Sequence, residues 1–272
     1  MATYYRTEGV CLRRLPFSNT SQVATFLTPD RGRLAFLAKG VLRAPKRGVS
    51  CGFELLGRYE LIFTERRTGS LHNLTKNFLI EPFRGTRDAI ERSLCAYYAA
   101  ELMLEFATED EPCPHLYELL LSSLRRLEKG EDLGLSVLLL EIGVLREQGI
   151  CPVFSVCVEC GGKLPARGRV LFSPSHAGPL CAACVRALPP SPQPWGLPVS
   201  VGRIALLDRL SRQTVPEADS PDIRPDDIVA ASRLLRFHMR YRLSKELRMW
   251  KYLQERHLSR SLRRLRRRAG VA

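Results

Sequence analysis

The N-terminal architecture follows from the stretch Gln22-Val23-Ala24-Thr25-Phe26-Leu27-Thr28-Pro29-Asp30-Arg31-Gly32-Arg33-Leu34-Ala35-Phe36-Leu37-Ala38. Two apolar segments of strand length flank the turn sequence Thr28–Gly32. Further segments of this kind lie at 9–12, 53–56, 59–63 and 71–80, with turn signals at 16–19, 45–48 and 68–70. About five short strands without an intervening helical stretch predict a small barrel, and the OB-fold is the candidate.

Two cysteine pairs mark the second half of the chain: Cys157-x2-Cys160 and, after twenty residues, Cys181-x2-Cys184. This spacing is typical of a four-thiolate zinc site. The alternatives are two disulfides or a redox Cys-x-x-Cys. Neither is favoured, because the other cysteines occur singly, unlike an oxidised framework: Cys11, Cys51, Cys95, Cys113 and Cys151.

Four thiolates complete a tetrahedral shell, so the spare candidates Cys151 and His176 are left out of the predicted site. A closed shell has no open position for water. We therefore predict a structural Zn²⁺, not a catalytic one, held by Cys157, Cys160, Cys181 and Cys184. The loop between the pairs is short and polar, so the metal must supply much of its folding free energy.

Beyond residue 82 the apolar period becomes helical. Two stripes consist of Ile90, Leu94, Tyr97, Tyr98, Leu102 and Phe106, and of Leu116, Leu119, Leu120, Leu124 and Leu127. Residues 135–145 are apolar nearly all round, which is typical of a central bundle helix. Helices resume near Ile204 and from Ile228, after a connector that five prolines make stiff: Pro189, Pro190, Pro192, Pro194 and Pro198.

These patterns predict an α+β protein. Residues 1–81 are expected to form an OB-fold β-barrel. Residues 82–272 form a C-terminal helical domain, with the four-cysteine zinc module inserted at 151–190. An insertion of this size is tolerated when its ends lie close together.

The net charge of +14 is unevenly distributed. Residues 1–81 contain 13 basic and 6 acidic residues, whereas residues 82–150 contain 7 and 13. Residues 200–272 contain 18 basic and 8 acidic residues. Positive charge at both ends of the chain indicates a binding surface for a polyanion. A general compositional bias toward arginine is the other reading.

Signatures of catalysis are missing. The sequence has no phosphate-binding loop, no zinc-protease helix motif and no nucleophile elbow, and its five histidines occur singly. His238 lies on an apolar helical stripe, so we expect a packed histidine and not a base. The chain is expected to be a binding protein and not an enzyme.

Targeting signals are missing as well. The first twelve residues contain Arg6 and Glu8 and lack the apolar core of a secretory signal. The longest apolar run, Leu133–Leu145, contains Glu141 and is too short to span a bilayer. We expect a soluble cytoplasmic protein.

The segment after the third predicted strand places four positive charges on a turn: Lys39, Arg43, Lys46 and Arg47. Long cationic side chains at a barrel rim suit phosphate contacts without base preference; a solvated turn is the alternative. Phe17, Phe26, Phe36 and Phe53 are candidates for base stacking. Most of them are expected in the core, because Phe26 and Phe36 fall within strand patterns.

The C-terminal end contains seven arginines within thirteen residues: Arg256, Arg260, Arg263, Arg264, Arg266, Arg267 and Arg268. A block this dense repels itself unless an anion neutralises it. Nucleic acid is the favoured anion, an acidic protein segment the second, and a merely solubilising role the third.

Several segments in order along nearly the whole chain resemble the RecO family of bacterial recombination mediators: Glu8–Arg13, Phe26–Leu34, Ala38–Arg43, Leu79–Phe83 and the cysteine pairs around Phe172-Ser173-Pro174. The resemblance implies an OB-fold, a helical domain and a zinc module, and it makes residues 1–81 the DNA-binding domain. It places DNA contacts at Lys39 and Arg43, with Lys46 and Arg47 as neighbours.

The same resemblance implies a function in the RecF pathway. Members bind single- and double-stranded DNA and anneal complementary strands. With RecR they help load RecA onto strands coated by single-strand DNA-binding protein (SSB), whose acidic C-terminal tail docks on the helical domain. For that tail, Arg125 and Arg126 are the candidates here, and association with the nucleoid is expected.

The competing hypothesis is a zinc-ribbon transcription or RNA-binding factor. Zinc and net charge fit it equally well. The position of the basic residues disfavours it, because few of them lie in the cysteine loop. A hydrolase on a zinc scaffold is disfavoured by the closed thiolate shell.

Overall fold

The computed structural model describes residues 3–43, 52–65, 71–190, 195–212 and 223–253. The described residues of Met1–Leu133 and Arg248–Ala272 form one compact unit, and those of Gly134–Leu247 form another. A compact unit of contacts is not the same as an independently folding domain. The predicted division into 1–81 and 82–272 therefore stays a prediction.

The first unit contains the predicted barrel. Its strands are β1 Tyr4–Ser18, β2 Ser21–Thr28, β3 Gly32–Ala38, β4 Arg58–Thr64 and β5 Leu71–Glu81. They close in the order β1-β2-β3-β5-β4. All neighbours pair antiparallel except β3 and β5, which are parallel over four residue pairs. This OB-like closed barrel confirms the predicted fold class.

Aromatic rings fill the barrel. Phe26 makes edge contacts with Phe36, Phe53 and Tyr59 at centroid separations of 5.7, 5.1 and 5.9 Å. Phe26, Phe36 and Phe53 are 0% exposed. Burying one such side chain contributes roughly 1.5–3 kcal/mol. These three rings belong to the core, as expected for most of the aromatic candidates, and are not available for base stacking.

Two local predictions in the barrel are wrong. Residues 53–56, predicted as a strand, form a turn in which Leu56 has φ 67° and donates its N–H to the Cys11 carbonyl at 2.7 Å. Residues 16–19, predicted as a turn, continue β1 through Ser18, and the hairpin turns only at Asn19 and Thr20. In both places the pairing of β1 with its neighbours overrides the local proline and apolar signals.

Helices α1 Ile90–Phe106 and α2 Pro114–Lys129 complete the first unit, after a 3₁₀ turn at Arg84–Arg87. The leucine stripe of α2 is confirmed, with Leu116, Leu120, Leu124 and Leu127 buried. The α1 stripe is partly wrong: its buried face is centred on Tyr98, Leu102 and Phe106, whereas Ile90 and Tyr97 are 53% and 38% exposed.

Gly32 begins β3 where the barrel meets the chain that follows α1. Its φ is +59°, and an added Cβ would lie 2.3 Å from the Thr108 carbonyl oxygen and 2.4 Å from that of Glu111. The neighbouring Arg33 N–H donates to the Thr108 carbonyl at 2.9 Å. Only glycine satisfies both the left-handed backbone and this close approach.

The second unit contains helices α3 Leu133–Glu147, α4 Ala182–Ala187, α5 Val201–Arg212 and α6 Pro225–Leu243, with strands β6 Arg169–Ser173, β7 Gly178–Leu180 and β8 Leu197–Ser200. Helix α3 is buried nearly all round, as predicted. It also buries the carboxylate of Glu141, which accepts hydrogen bonds from Ser232 Oγ at 2.8 Å and Arg236 Nε at 2.5 Å. Pairing offsets the desolvation of this charge.

The proline-rich connector is more structured than predicted. The three strands of the second unit form a sheet in the order β7-β6-β8. Strand β8 includes Pro198, which pairs with Leu171, and lies beyond the predicted module boundary at residue 190. Proline is tolerated there because β8 is an edge strand. Pro192 and Pro194 lie outside the described residues.

Within the described ranges, no helix combines the length and the apolar character needed to cross a membrane.

Candidate metal centre and basic barrel surface

The structure brings the four predicted cysteine ligands together. The Sγ atoms of Cys157, Cys160, Cys181 and Cys184 all lie within 4.8 Å of one another. The Sγ atoms of Cys160 and Cys181 are 3.9 Å apart. A tetrahedron with metal–sulfur bonds of about 2.3 Å has edges of about 3.8 Å. The cluster therefore has the dimensions of a four-thiolate metal site.

The first cysteine pair lies on a tight turn closed by backbone hydrogen bonds. Cys157 N–H donates to the Gly162 carbonyl at 2.9 Å, and Gly161 N–H donates to the Cys157 carbonyl at 2.8 Å. Gly161 has φ +69°, a left-handed conformation that glycine adopts without strain. This turn directs both sulfurs to the same side.

The second pair lies at the start of α4. Cys181 immediately precedes that helix, and its N–H donates to Cys157 Sγ at 3.3 Å. The β6–β7 hairpin brings this pair to the first turn, where Val158 N–H donates to the Pro179 carbonyl at 3.0 Å. At Gly178 an added Cβ would lie 2.4 Å from Val158 Cγ1, so the hairpin and the turn are in close contact.

The thiols of the cluster differ in acidity. Burial by itself raises the pKa of Cys157, but backbone N–H groups, including those of Cys160 and Cys181, lower it overall to about 6. Hydrogen bonding with Cys181 raises the pKa of Cys184. Four adjacent thiols cannot all ionise without a compensating positive charge, because each thiolate disfavours the next. A divalent cation supplies that charge.

The donor set fits a soft or borderline metal ion and fills a tetrahedral shell. The spare candidates stay outside it. Cys151 lies apart from the cluster, and burial raises its pKa to about 11. His176 directs Nδ1 to Ser173 Oγ at 2.8 Å. Among the described residues, the groups that could hold a metal ion at this site are the four cysteines, without a histidine.

The turn after β3 contains the two predicted DNA contacts that the structure describes. Lys39 and Arg43 are both exposed. Leu42 N–H donates to the Thr20 carbonyl at 3.0 Å, which ties this turn to the end of the β1–β2 hairpin. The remaining predicted contacts, Lys46 and Arg47, lie outside the described residues. All four assignments stay predictions.

The structure adds residues that sequence reasoning did not place in the site. Arg13 and Arg14 lie in the exposed half of β1, and Arg14 Nη1 donates to the Phe53 carbonyl at the end of the barrel. Phe17, already a stacking candidate from the sequence, lies in the same strand and is 62% exposed. The available signal was the Arg13-Arg14 pair, which interrupts the apolar pattern of the first strand.

The candidates for an acidic peptide are already paired. Arg125 Nε and Nη2 donate to the two oxygens of the Glu81 carboxylate, at 3.1 and 3.0 Å. Arg126 lies 3.0 Å from Glu131, and its side chain is 12% exposed. The C-terminal arginines from Arg256 onward lie outside the described residues.

His238 is packed, as expected. It is 0% exposed, and its Nε2 lies 2.9 Å from the Ile150 carbonyl oxygen. Burial lowers its pKa, so the neutral form is favoured. Its ring contacts Phe172 edge-on at 6.2 Å.

An OB-like barrel with an exposed basic turn, in a chain that also has helices and a four-cysteine cluster, is an architecture found among OB-fold nucleic-acid-binding proteins. Comparison with known families agrees. The family model described as "Recombination protein O N terminal" matches residues 1–83, and "Recombination protein O C terminal" matches residues 87–251. The chain belongs to the RecO family of DNA repair and recombination proteins.

Curated relatives extend the similarity to nearly full length. The chain is 31% identical over 247 residues to DNA repair protein RecO of Anaeromyxobacter sp. (strain Fw109-5), which covers 90% of this chain and 94% of that protein. It is 30% identical over 252 residues to DNA repair protein RecO of Syntrophus aciditrophicus (strain SB), covering 92% and 95%. DNA repair protein RecO of Bacillus pumilus (strain SAFR-032) is 29% identical over 220 residues, covering 81% and 82%.

Proposed function

We propose that this chain is a DNA-binding recombination mediator of the RecF pathway. It binds single- and double-stranded DNA at the barrel and anneals complementary strands. With RecR it helps load RecA onto SSB-coated single-stranded DNA. The observation that carries the proposal is the match of both halves of the chain to one recombination family, with the exposed cations Lys39 and Arg43 on the barrel.

The barrel surface suits annealing because its positive charges can contact DNA independently of base sequence. Two DNA strands repel each other through their phosphates, and cationic side chains displace counterions and reduce that repulsion. Contacts to phosphate leave the base edges free to pair. The net charge of +14 and its concentration outside residues 82–150 support this reading.

The metal in this proposal is zinc with a structural role. Zinc prefers tetrahedral sulfur coordination, and four thiolates leave no position for a reacting water. The cysteines hold the module in shape, and the chain acts by binding and not as an enzyme. The acidic C-terminal tail of SSB and RecR are the proposed protein partners, and the protein works in the cytoplasm at the nucleoid.

Annealing of SSB-coated strands is the decisive experiment. Complementary strands are coated with SSB, and the full chain is added at several salt concentrations. We expect duplex formation to accelerate, whereas a transcription or RNA-binding factor would not anneal coated strands. If duplex formation is no faster than with SSB alone, the proposal is overturned.

A matched variant tests the surface. Lys39→Ala with Arg43→Ala should weaken binding to all sequences alike. The slope of log affinity against log salt should become shallower by about 0.7 per lost contact on single strands and about 0.9 on duplex. Lys163→Ala, an exposed cation of the cysteine module, is the control and should leave both quantities unchanged.

A further inference from the structure

A cavity of about 420 Å³ lies between the beginnings of helices α5 and α6 in the second unit. Gly202, Leu206 and Arg209 line it from α5, at helical spacings of four and three residues. Ile223 and Arg224, just before α6, line the other side. The volume is within the range of small-molecule sites, about 300–1,000 Å³. No described residue of the barrel or of the four-cysteine cluster lines this cavity, so it is separate from both.

The cavity is positively charged. Its charged lining consists of three arginines and one aspartate: Arg203, Arg209, Arg224 and Asp227. Arg203 Nε donates to Asp227 Oδ1 at 3.2 Å, so the carboxylate is already neutralised. Arg209 and Arg224 are exposed, and within the described residues no carboxylate forms an ion pair with either of them. Two positive charges are therefore available for an anion.

The start of helix α5 strengthens this preference for an anion. The helix begins at Val201, beside the cavity, and has no acidic residue in its first turn. The positive end of the helix dipole favours a negative charge at this place. Gly202 in the first turn is exposed, and no atom lies within 4 Å of a Cβ added to it. A ligand can therefore approach the helix end closely.

A phosphomonoester matches this cavity in charge. A terminal phosphate carries about −1.5 to −2 at pH 7, which balances the two unpaired arginines. An internal phosphate of a nucleic acid carries only about −1. Planar guanidinium groups bind phosphate oxygens with paired hydrogen bonds. The half-buried side chains of Leu206 and Ile223 provide an apolar surface for the organic part of the ester.

We propose that this cavity of the second unit binds a terminal phosphate group. Arg209 and Arg224 contact the phosphate oxygens, and Leu206 and Ile223 contact the sugar or base attached to them. The phosphate belongs either to a free mononucleotide or to the 5′ end of a DNA strand. This site goes beyond the proposed function, because it is chemically different from the backbone contacts proposed for the barrel and does not depend on them.

Calorimetric titration of the full chain with deoxyadenosine 5′-monophosphate tests the site, and deoxyadenosine is the uncharged reference. We expect saturable binding of the monophosphate and much weaker binding of the nucleoside. Arg209→Ala with Arg224→Ala should lower the affinity for the monophosphate by roughly tenfold, because hydrogen bonds to charged groups are lost. Arg233→Ala is the matched control, since Arg233 is an exposed arginine of α6 that does not line the cavity. This variant should bind as the wild type does.

A second variant fills the cavity and leaves its charge unchanged. Gly202→Leu should fold with an unchanged or slightly higher melting temperature, because the added Cβ meets no atom and leucine favours a helix more than glycine. It should bind the monophosphate more weakly than the wild type. Full affinity in this variant would place the ligand elsewhere and contradict the inference.

Oligonucleotides distinguish the two sources of the phosphate. If a 5′-phosphorylated strand binds more tightly than its 5′-hydroxyl counterpart, and the double-arginine variant loses this difference, the cavity holds DNA ends. Equal affinities of the two strands, with arginine-dependent binding of the monophosphate, assign the cavity to free nucleotides. The inference is overturned if neither phosphate is bound in an arginine-dependent way. Annealing of SSB-coated strands would be unaffected by that result, so the proposed function is tested separately.

Discussion

The barrel and the four-cysteine module are stabilised in opposite ways. The barrel encloses a continuous core in which Phe26, Phe36, Phe53, Leu61 and Phe63 are fully buried. In the module, residues 159–169 are exposed except for one half-buried position, and the fixed points are sulfur atoms. A closed sheet can bury enough apolar surface to fold without a ligand, whereas a short polar loop cannot. The two regions should therefore respond independently to loss of metal and to loss of core packing.

The largest expected effect is removal of a metal ligand. Cys160→Ala should abolish binding of about one zinc ion per chain, because three thiolates leave the tetrahedral shell incomplete. We expect residues 157–184 to lose protection in hydrogen exchange while the barrel strands keep theirs. Cys151→Ala is the control. Because Cys151 lies outside the cluster, this variant should retain the metal. If the protein without metal kept its hydrogen-exchange protection in residues 157–184, the module would not depend on metal for its structure.

Removal of an aromatic ring from the barrel core tests the contribution of apolar packing. Phe26→Ala should destabilise the chain by about 3–5 kcal/mol, because it deletes a buried ring that three others contact. Chemical denaturation measures this loss, and zinc content should be unchanged. Phe17→Ala, which removes an exposed ring, should stay within about 0.5 kcal/mol. Comparable losses for the two variants would mean that Phe17 also supports the fold.

A smaller effect is expected where the barrel meets the chain after α1. Gly32→Ala should destabilise by about 2 kcal/mol, because the left-handed φ disfavours a Cβ and the Thr108 carbonyl must move. Gly149→Ala separates the two causes, since Gly149 has φ +65° and no atom within 4 Å of an added Cβ. Equal melting shifts for the two variants would show that the close contact contributes nothing.

The smallest effect on stability is expected from the arginine-rich end. Truncation after Leu253 removes seven closely spaced arginines, whose mutual repulsion gives little net stabilisation. Melting temperature should change little, whereas DNA affinity at low salt should fall because cationic contacts are lost. Unchanged DNA affinity would leave these residues a solubilising role. A large drop in melting temperature would show that they belong to the fold.

Local patterns in the sequence were sufficient for much of this structure. The strands around Phe26 and Phe36 follow from alternation, and the four-cysteine cluster follows from the spacing of Cys157, Cys160, Cys181 and Cys184, because a tight turn fixes two sulfurs at once. The buried α3 follows from residues that are apolar all round. In each case the signal comes from residues that are a few positions apart in the sequence.

The incorrect local predictions share a different cause. Residues 53–56 have a strand pattern and yet form a turn, and Pro198 pairs in β8 although its neighbours predict a connector. The buried face of α1 is rotated away from Ile90 and Tyr97. Each outcome depends on a distant segment that supplies hydrogen-bond partners or covers one face, and periodicity contains no information about that segment.

The sequence alone determined the barrel, the helical region, the four clustered cysteines and the location of positive charge, because these depend on residue type and short-range spacing. Only the tertiary structure decided that Phe17 is exposed while Phe26 is buried, that Arg125 is paired with Glu81, and that Leu15 lies opposite Val23 across the sheet. Burial and pairing are properties of surfaces that meet in space, and the hydrophobic effect acts on the area covered there and not on order along the chain.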